Sequence, residues 1–325
     1  IFGYMAAVPD APGLEVVDLW QVRVRDVEDL LAVEISEWRE QLDWDFTSSA
    51  GLVRRFLEAR ALSGYALTAA GRTVAYSYFV CEDGKGVIGN LYVGPAHRTA
   101  ESEVLLLDAV VGRLMRTRHV HRIESQLMLA RPVYGRPLPL SRYARSYTRN
   151  FMVAELADCG GLAPAPAGDI AFELWTERRQ DAAAQLIAAA YRSHIDSEIN
   201  DQYRSAAGAR RFLYNIIQYP GCGAFFAPAS WVAVARDTGR LVGIVLASMV
   251  SASAGHITQV CVTPQLKGRG IGYELMRRSM RSLAESGSGR VSLTVTAANA
   301  NAVRLYHAMG FAVRRQFPAM VWTGF

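Results

Sequence analysis

Apolar positions recur at two periods along this chain, and the switches between them mark its elements. Over 176–194 and again over 206–217 they fall three and four residues apart, the spacing of a helix with one buried face. Over 231–236 and 241–249 runs of apolar residues flank the turn Asp237-Thr238-Gly239-Arg240, which predicts a hairpin. A third strand, over 256–263, runs into a glycine-rich turn, and a helix over 271–284 follows. A short strand over 292–296, a helix over 300–309 and one or two last strands over 311–322 complete the half.

The first half repeats that order. Helices are predicted over 26–42 and 50–61, strands over 64–69 and 73–80 with Ala70-Gly71-Arg72 turning between them, a strand over 87–93, a helix over 101–117 and a strand over 121–129. The order helix, helix, hairpin, strand, helix, strand therefore occurs twice, as an internal duplication would produce. Two unrelated α/β domains with ordinary element orders are the alternative. Between the halves, residues 158–168 alternate Gly, Pro and Ala, which resist both helix and central strand. The expected division is a domain over 1–157, a linker over 158–168 and a second domain over 169–325.

Composition narrows the class without choosing a function. With 51% hydrophobic and 20% charged residues, the 325-residue chain suits packed globular domains rather than disorder. Its net charge of +5 fits an anionic small ligand as well as a nucleic acid, and the arginines are scattered. No aromatic-and-basic stacking surface is apparent, so a nucleic-acid partner is not expected. Cys81, Cys159, Cys222 and Cys261 lie far apart with no metal-ligand spacing, so no metal site is predicted. The chain shows neither signal-peptide pattern nor an apolar run of membrane-spanning length, and the expectation is a cytoplasmic protein with no membrane partner.

The candidate chemistry lies at the turn Lys267-Gly268-Arg269-Gly270-Ile271-Gly272, behind Val262-Thr263-Pro264. Glycines let the backbone approach a ligand closely, a helix N-terminus aims unpaired N–H groups at an anion, and two cations stand beside them. The natural guest is a phosphate or pyrophosphate. Neither a Rossmann fingerprint nor a Walker A loop fits, since the acidic residue of the first and the terminal Gly-Lys-Ser/Thr of the second are missing. A second signature, Asn299-Ala300-Asn301-Ala302-Val303-Arg304-Leu305-Tyr306-His307-Ala308-Met309-Gly310-Phe311, comes one helix and one strand later.

With both signatures in that order, 169–325 resembles the GNAT superfamily of acyl-CoA-dependent N-acetyltransferases. The family turn has Arg or Gln, two residues, Gly, one residue, then Gly or Ala; Lys267 departs from it but keeps a cation. The resemblance implies an α/β protein of two tandem GNAT-like domains, each a mixed, mostly antiparallel central sheet flanked by helices. It implies acetyl-CoA as acyl donor, bound by the 267–272 turn and by the backbone of Val260, Cys261 and Val262, with Asn299 capping the next helix and contacting CoA. A small-molecule or peptide amine would attack the thioester directly in a ternary complex, and Tyr306 would protonate the departing thiolate. Cys261, a small residue in an apolar strand, is read as packing rather than as an acyl-carrying nucleophile. His256 is the candidate general base on the strand before the turn, its intrinsic pKa lying near neutrality. His194, Asp196, Glu198 and Asp201 fall between the two opening helices, where relatives often build the acceptor pocket. A non-catalytic acyl-CoA sensor or scaffold is the alternative, and the protein is expected to be a monomer or homodimer.

The matching turn of the first half, Gly94-Pro95-Ala96-His97-Arg98-Thr99-Ala100-Glu101-Ser102-Glu103, keeps a cation but places glutamates where glycines would meet phosphate. Carboxylates suit a helix N-terminus and repel a pyrophosphate. Residues 143–151, YARSYTRNF, resemble the second signature only faintly. The first half is therefore read as a degenerate copy that shapes the cleft and performs no transfer.

Overall fold

The computed structural model describes residues 13–132, 137–166, 168–219 and 221–325. Its elements run β1 (Leu14–Asp18), α1 (Val24–Leu42), α2 (Thr47–Glu58), β2 (Gly64–Ala69), β3 (Arg72–Glu82), β4 (Lys85–Val93), α3 (Ala100–Met115), β5 (Arg122–Gln126) and β6 (Ala144–Glu155). They continue with β7 (Ile170–Leu174), α4 (Gln180–Ala190), α5 (Ile195–Ile199), α6 (Ala206–Gln218), β8 (Ala224–Phe225), β9 (Trp231–Ala235), β10 (Leu241–Ser251) and β11 (Ala254–Val262). The last are α7 (Ile271–Glu285), β12 (Arg290–Thr296), α8 (Ala300–Ala308) and β13 (Ala312–Thr323). Among the described residues no helix is long and apolar enough to cross a membrane.

Two compact units form. The first comprises the described residues of 13–42, 46–146 and 317–325, the second those of 43–45 and 147–316. Each therefore takes in chain from both sides of the 158–168 segment. The first unit's strands lie in the order β1-β2-β3-β4-β5-β13 and the second's in the order β6-β12-β11-β10-β9-β7, with β8 on β10. Within each unit one neighbouring pair is parallel, β4 with β5 and β11 with β12, and the other paired neighbours are antiparallel. Residues 319–323 of β13 complete the first unit's sheet along β5, and residues 149–155 of β6 complete the second's along β12.

Segment 143–151, which faintly resembles a helix-bearing signature in sequence, thus lies largely in a strand. Its residue Phe151 and the adjoining Met152 are fully buried, and Arg149 and Asn150 nearly so. The other difference of note is at 176–194. The α-helix there is confined to Gln180–Ala190, the chain turns at Ser193 with φ +58°, and His194 caps the separate helix α5. A side chain at positive φ cannot continue a right-handed helix.

In the second unit, β10 carries two cores. Ile244 and Leu246 face α4 and α6 in one cluster with Ala183, Ile187 and Leu213. Val245 and Ala247 face α7 and α8 in the other, with Leu275, Met276, Met280 and Leu283. That alternation is the period of two of a strand buried on both faces, and it explains why β10 is apolar from Leu241 to Ala247. In the first unit α3 lays Leu106, Val110 and Leu114 on the sheet against Ile88, Ile123 and the β13 residues Met320 and Trp322. Behind the sheet, the fully buried Glu34 of α1 accepts from Tyr76 Oη at 2.6 Å and Asn90 Nδ2 at 2.8 Å. Burial raises its pKa to about 7.

His256, the base expected from sequence, belongs to the core of the second unit. It is 6% exposed, tilted against Trp44 at 5.1 Å and stacked on Phe151 at 6.3 Å. Ser292 Oγ donates to Gly255 O, so His256 Nδ1 donates to Ser292 Oγ at 2.9 Å. Desolvation, reinforced by Arg149, lowers its pKa from 6.5 to about 3. The ring has no opening toward substrate, and its chemistry is that of a neutral packing group. Between those two pKa values the unfolded chain binds a proton that the folded chain refuses, so stability is complete above about 6.5 and is lost as pH falls through the window. The raised Glu34 acts in the opposite sense over the same range, so the His256 contribution is read as a difference: between pH 7 and pH 4.5, urea titrations should show wild type losing roughly 2–3 kcal/mol of unfolding free energy relative to His256→Gln. Equal pH slopes for the two proteins would contradict the assignment.

Candidate active site

Strand β11 is held by β10 along its length, from Ala254–Ser251 to Val262–Gly243. On its other edge the parallel register with β12 covers only Ala254 to Ile257, against Arg290 to Leu293. Beyond Ile257 the two strands part, and among the described residues no strand pairs with the rest of that edge. Thr263 N donates to Val242 O at 2.8 Å, so alternation turns the Val262 and Val260 backbone groups away from β10. The Tyr191 hydroxyl, 3.4 Å from Val260 O, marks that side.

Past the strand, the backbone takes positive φ at Gly268 (+80°) and Gly270 (+77°), and Gly270 sits at the N-cap of α7 with no side-chain cap. These two glycines set the turn. Gly272 does a different job. It has ordinary helical backbone, and an added Cβ would only touch Val262 Cγ2 at 3.6 Å, so its missing side chain keeps the approach to the helix start open. The first-turn amides of a helix have no intrahelical acceptors, and here no cap supplies one.

An open cleft of about 980 Å³ lies against these groups. Val260, Val262, Lys267, Gly268, Gly270, Ile271, Gly272, Asn299 and Tyr306 all line it. Of the residues expected to catalyse or to bind the cofactor, three do not, and neither do Asp196, Glu198 and Asp201 of the expected acceptor pocket. His256 is in the core described above; Arg269 is exposed on the turn outside the lining; the Cys261 side chain points into the α4–α6 core. Burial raises the Cys261 pKa to about 12, which keeps the thiol protonated and inert.

Asn299 caps α8, its Oδ1 accepting from Ala302 N at 3.3 Å. Two turns on, Tyr306 is buried but reaches the cleft. Desolvation and the nearby Asp196 carboxylate raise its pKa, against the opposing pull of Arg149, so the phenol holds its proton at neutral pH.

The cleft also contains His194, which the sequence places only among several polar residues of a loop. Its ring lies edge-on to Tyr191 at 5.2 Å. Nδ1 is 3.2 Å from the Asp196 amide nitrogen and 3.7 Å from Asp196 Oδ2, and Nε2 is 3.4 Å from Asn299 Nδ2. Asp196 in turn accepts from Arg149 Nη1 at 3.1 Å and from Thr296 Oγ1, while Arg149 Nη2 reaches Thr294 Oγ1 at 3.0 Å. Desolvation lowers the His194 pKa; Asp196 opposes this, and Lys267 and Arg149 add to it. No glycine or signature spacing flags this cluster. Its nearest sequence signal is a short polar run after a helix, which is also how a solvated loop reads.

Residues 192–311 match the model of the Acetyltransferase (GNAT) family. A mycothiol acetyltransferase of Corynebacterium jeikeium is 41% identical over 59 residues, 18% of this chain and 17% of the relative. A streptothricin acetyltransferase of Streptomyces lavendulae is 40% identical over 87 residues, 26% of this chain and 44% of the relative. The chain thus spans less than half the length of these curated relatives. The crystal structure of a GCN5-related N-acetyltransferase from Sphaerobacter thermophilus superposes with a TM-score of 0.64 at 16% identity, over 98% of both chains, a likeness of fold. Over residues 192–311, the chain is similar to the GNAT acetyltransferases.

Proposed function

We propose that this protein transfers an acetyl group from acetyl-CoA to a primary amine, by direct attack within a ternary complex. What carries the reading is one cleft that gathers a free strand edge at Val260 and Val262, the uncapped start of α7 beside Lys267, and the Tyr306 hydroxyl. The α7 amides and Lys267 hold the pyrophosphate. The β11 edge holds the pantetheine arm, and a backbone N–H there stabilises the carbonyl oxygen as it gains negative charge. Tyr306 delivers its proton to the thiolate as the C–S bond breaks. Cys261, buried and protonated, takes no part, which favours direct attack over an acyl-enzyme. The relatives' names differ in acceptor, so they leave the amine at the level of a class.

The first half fits a duplicated unit without transfer chemistry. The start of its α3 is closed by Thr99, whose hydroxyl accepts from Ser102 N at 3.2 Å, and Glu101 and Glu103 lie in the first turn. Among the described residues of 127–143 there is no α-helix to answer α8.

Calorimetry with acetyl-CoA tests the cofactor assignment. Gly272→Glu should abolish measurable binding while leaving the thermal midpoint near wild type, because that position has room and unstrained backbone. Lys267→Ala should weaken binding about fivefold to tenfold, an exposed contact worth about 1 kcal/mol. Undiminished binding in both would remove the cofactor from this turn.

Tyr306→Phe should lower kcat by about 100-fold or more while acetyl-CoA affinity changes little. In the wild type the basic limb of the pH–rate profile should lie above the ordinary tyrosine value of 10.0, because the folded pKa is raised. Turnover of the Phe variant at the wild-type rate would exclude the acid role.

A further inference from the structure

We propose that His194 is the general base for the acceptor amine, and that Asp196, held by Arg149 and Thr296, is the positioning residue that turns its ring. The inference rests on the transfer reading above and assigns the one role that reading leaves open.

Asn299 sets the protonation of the ring. Its cap bond commits Oδ1 to Ala302 N–H, so the amide nitrogen faces His194 Nε2 at 3.4 Å. A donor facing Nε2 calls for a lone pair there, which places the ring proton of neutral His194 on Nδ1. The nearest carboxylate oxygen to Nδ1 is then Asp196 Oδ2, at the ion-pair distance of 3.7 Å and not within hydrogen-bond reach. The Asp196 N–H, 3.2 Å from Nδ1, favours the opposite tautomer, so the carboxylate and the backbone amide of one residue compete for the ring. Arg149 and Thr296 fix the carboxylate beside the ring, and that charge together with the Asn299 contact is the ground for placing the proton on Nδ1 against the cap bond from Asp196 N–H. Arg149 and Thr296 both bind Oδ1, leaving Oδ2 for the histidine.

Position supports the assignment. His194, Val260 and Tyr306 line one cleft, so a thioester carbonyl bound at the Val260 edge has the phenol and the imidazole near it. Charge supports it as well. The groups around the ring are Asp196 on α5, Tyr191 after α4, Lys267 on the turn, Asn299 and Tyr306 of the α8 segment, and Arg149 on β6. Two of these are cations, and with burial they keep His194 neutral below its ordinary 6.5, ready to accept a proton.

In the step, Nε2 takes one proton from R–NH3⁺, and the freed nitrogen lone pair forms the N–C bond to the thioester carbonyl. As the tetrahedral intermediate collapses, the C–S bond breaks, and Tyr306 protonates the sulfur. The amide nitrogen sheds its extra proton, which returns to the Tyr306 oxygen through solvent. His194 releases its own proton to solvent, so one proton leaves per amide formed.

Two measurements test this with the full chain. The first is ¹⁵N NMR of the histidine rings during a pH titration. His194 should be neutral with its proton on Nδ1 and titrate below 6.5. Arg149→Gln should move that titration upward by freeing the Asp196 charge, and Asp196→Asn should move it downward. A proton on Nε2, or a titration indifferent to both variants, would overturn the assignment.

The second is CoA release from acetyl-CoA with two probe amines at pH 7, phenethylamine, which is protonated there, and hydroxylamine, which is not. His194→Gln should lose about 100-fold or more in rate with phenethylamine and little with hydroxylamine, with acetyl-CoA affinity retained. Equal losses with both probes, or none, would sink the base. Wild-type protein that binds no acetyl-CoA would instead sink the transfer reading itself.

Discussion

Everything that suggests chemistry in this protein depends on where the β11–β12 register stops. Up to Ile257 and Leu293 the two strands are parallel neighbours; past that point β11 keeps β10 and loses β12. A backbone group left without a partner in a partly buried place costs about 1–3 kcal/mol, so the edge at Val260 and Val262, where the Tyr191 hydroxyl reaches Val260 O at 3.4 Å, is suited to a hydrogen-bonding guest. The strand tolerates it because β10 holds the opposite edge and the valine side chains pack on the α7 core. The departing strand matters just as much. β12 stays paired with β6, which puts Arg149 beside Thr294 and Thr296 and within reach of Asp196.

The same divergence exists in the first unit, where β4 and β5 are in register from Lys85–Arg122 to Ile88–Ser125. Past the point of parting, the resemblance ends. The α3 start is capped, and Leu91, Leu107, Leu127 and Met320 surround a cavity of only about 30 Å³. A shared topology thus has two outcomes, set by the residues at the helix start and by what fills the wedge between the strands.

The parts of this architecture written in local sequence were legible. A hairpin announced by Asp237-Thr238-Gly239-Arg240, a turn with glycines at the two positive-φ positions and a helix capped by Asn299 each depend on neighbours a few residues away. Partners far along the chain were not. The apolar residues of β6 mark a strand, but nothing in them names β12, nearly 140 positions on, as the neighbour. His256 looked reactive because its strand leads to the turn. Only the rings of Trp44 and Phe151, distant in sequence, show that it is packed. His194 stood out in sequence only as one of four polar candidates for the acceptor pocket. The helix before it stops at Ala190 and the chain turns at Ser193 in the left-handed region, with no glycine or proline to announce the break.

The central claim is that the free β11 edge receives the acyl donor, and amide hydrogen exchange reads it directly. The Val260 and Val262 amides, monitored with and without saturating acetyl-CoA, should exchange markedly more slowly in the complex, along with the first-turn amides of α7. Protection at the α7 amides with none at Val260 and Val262 would place the ligand on the turn alone and contradict the role given to the strand.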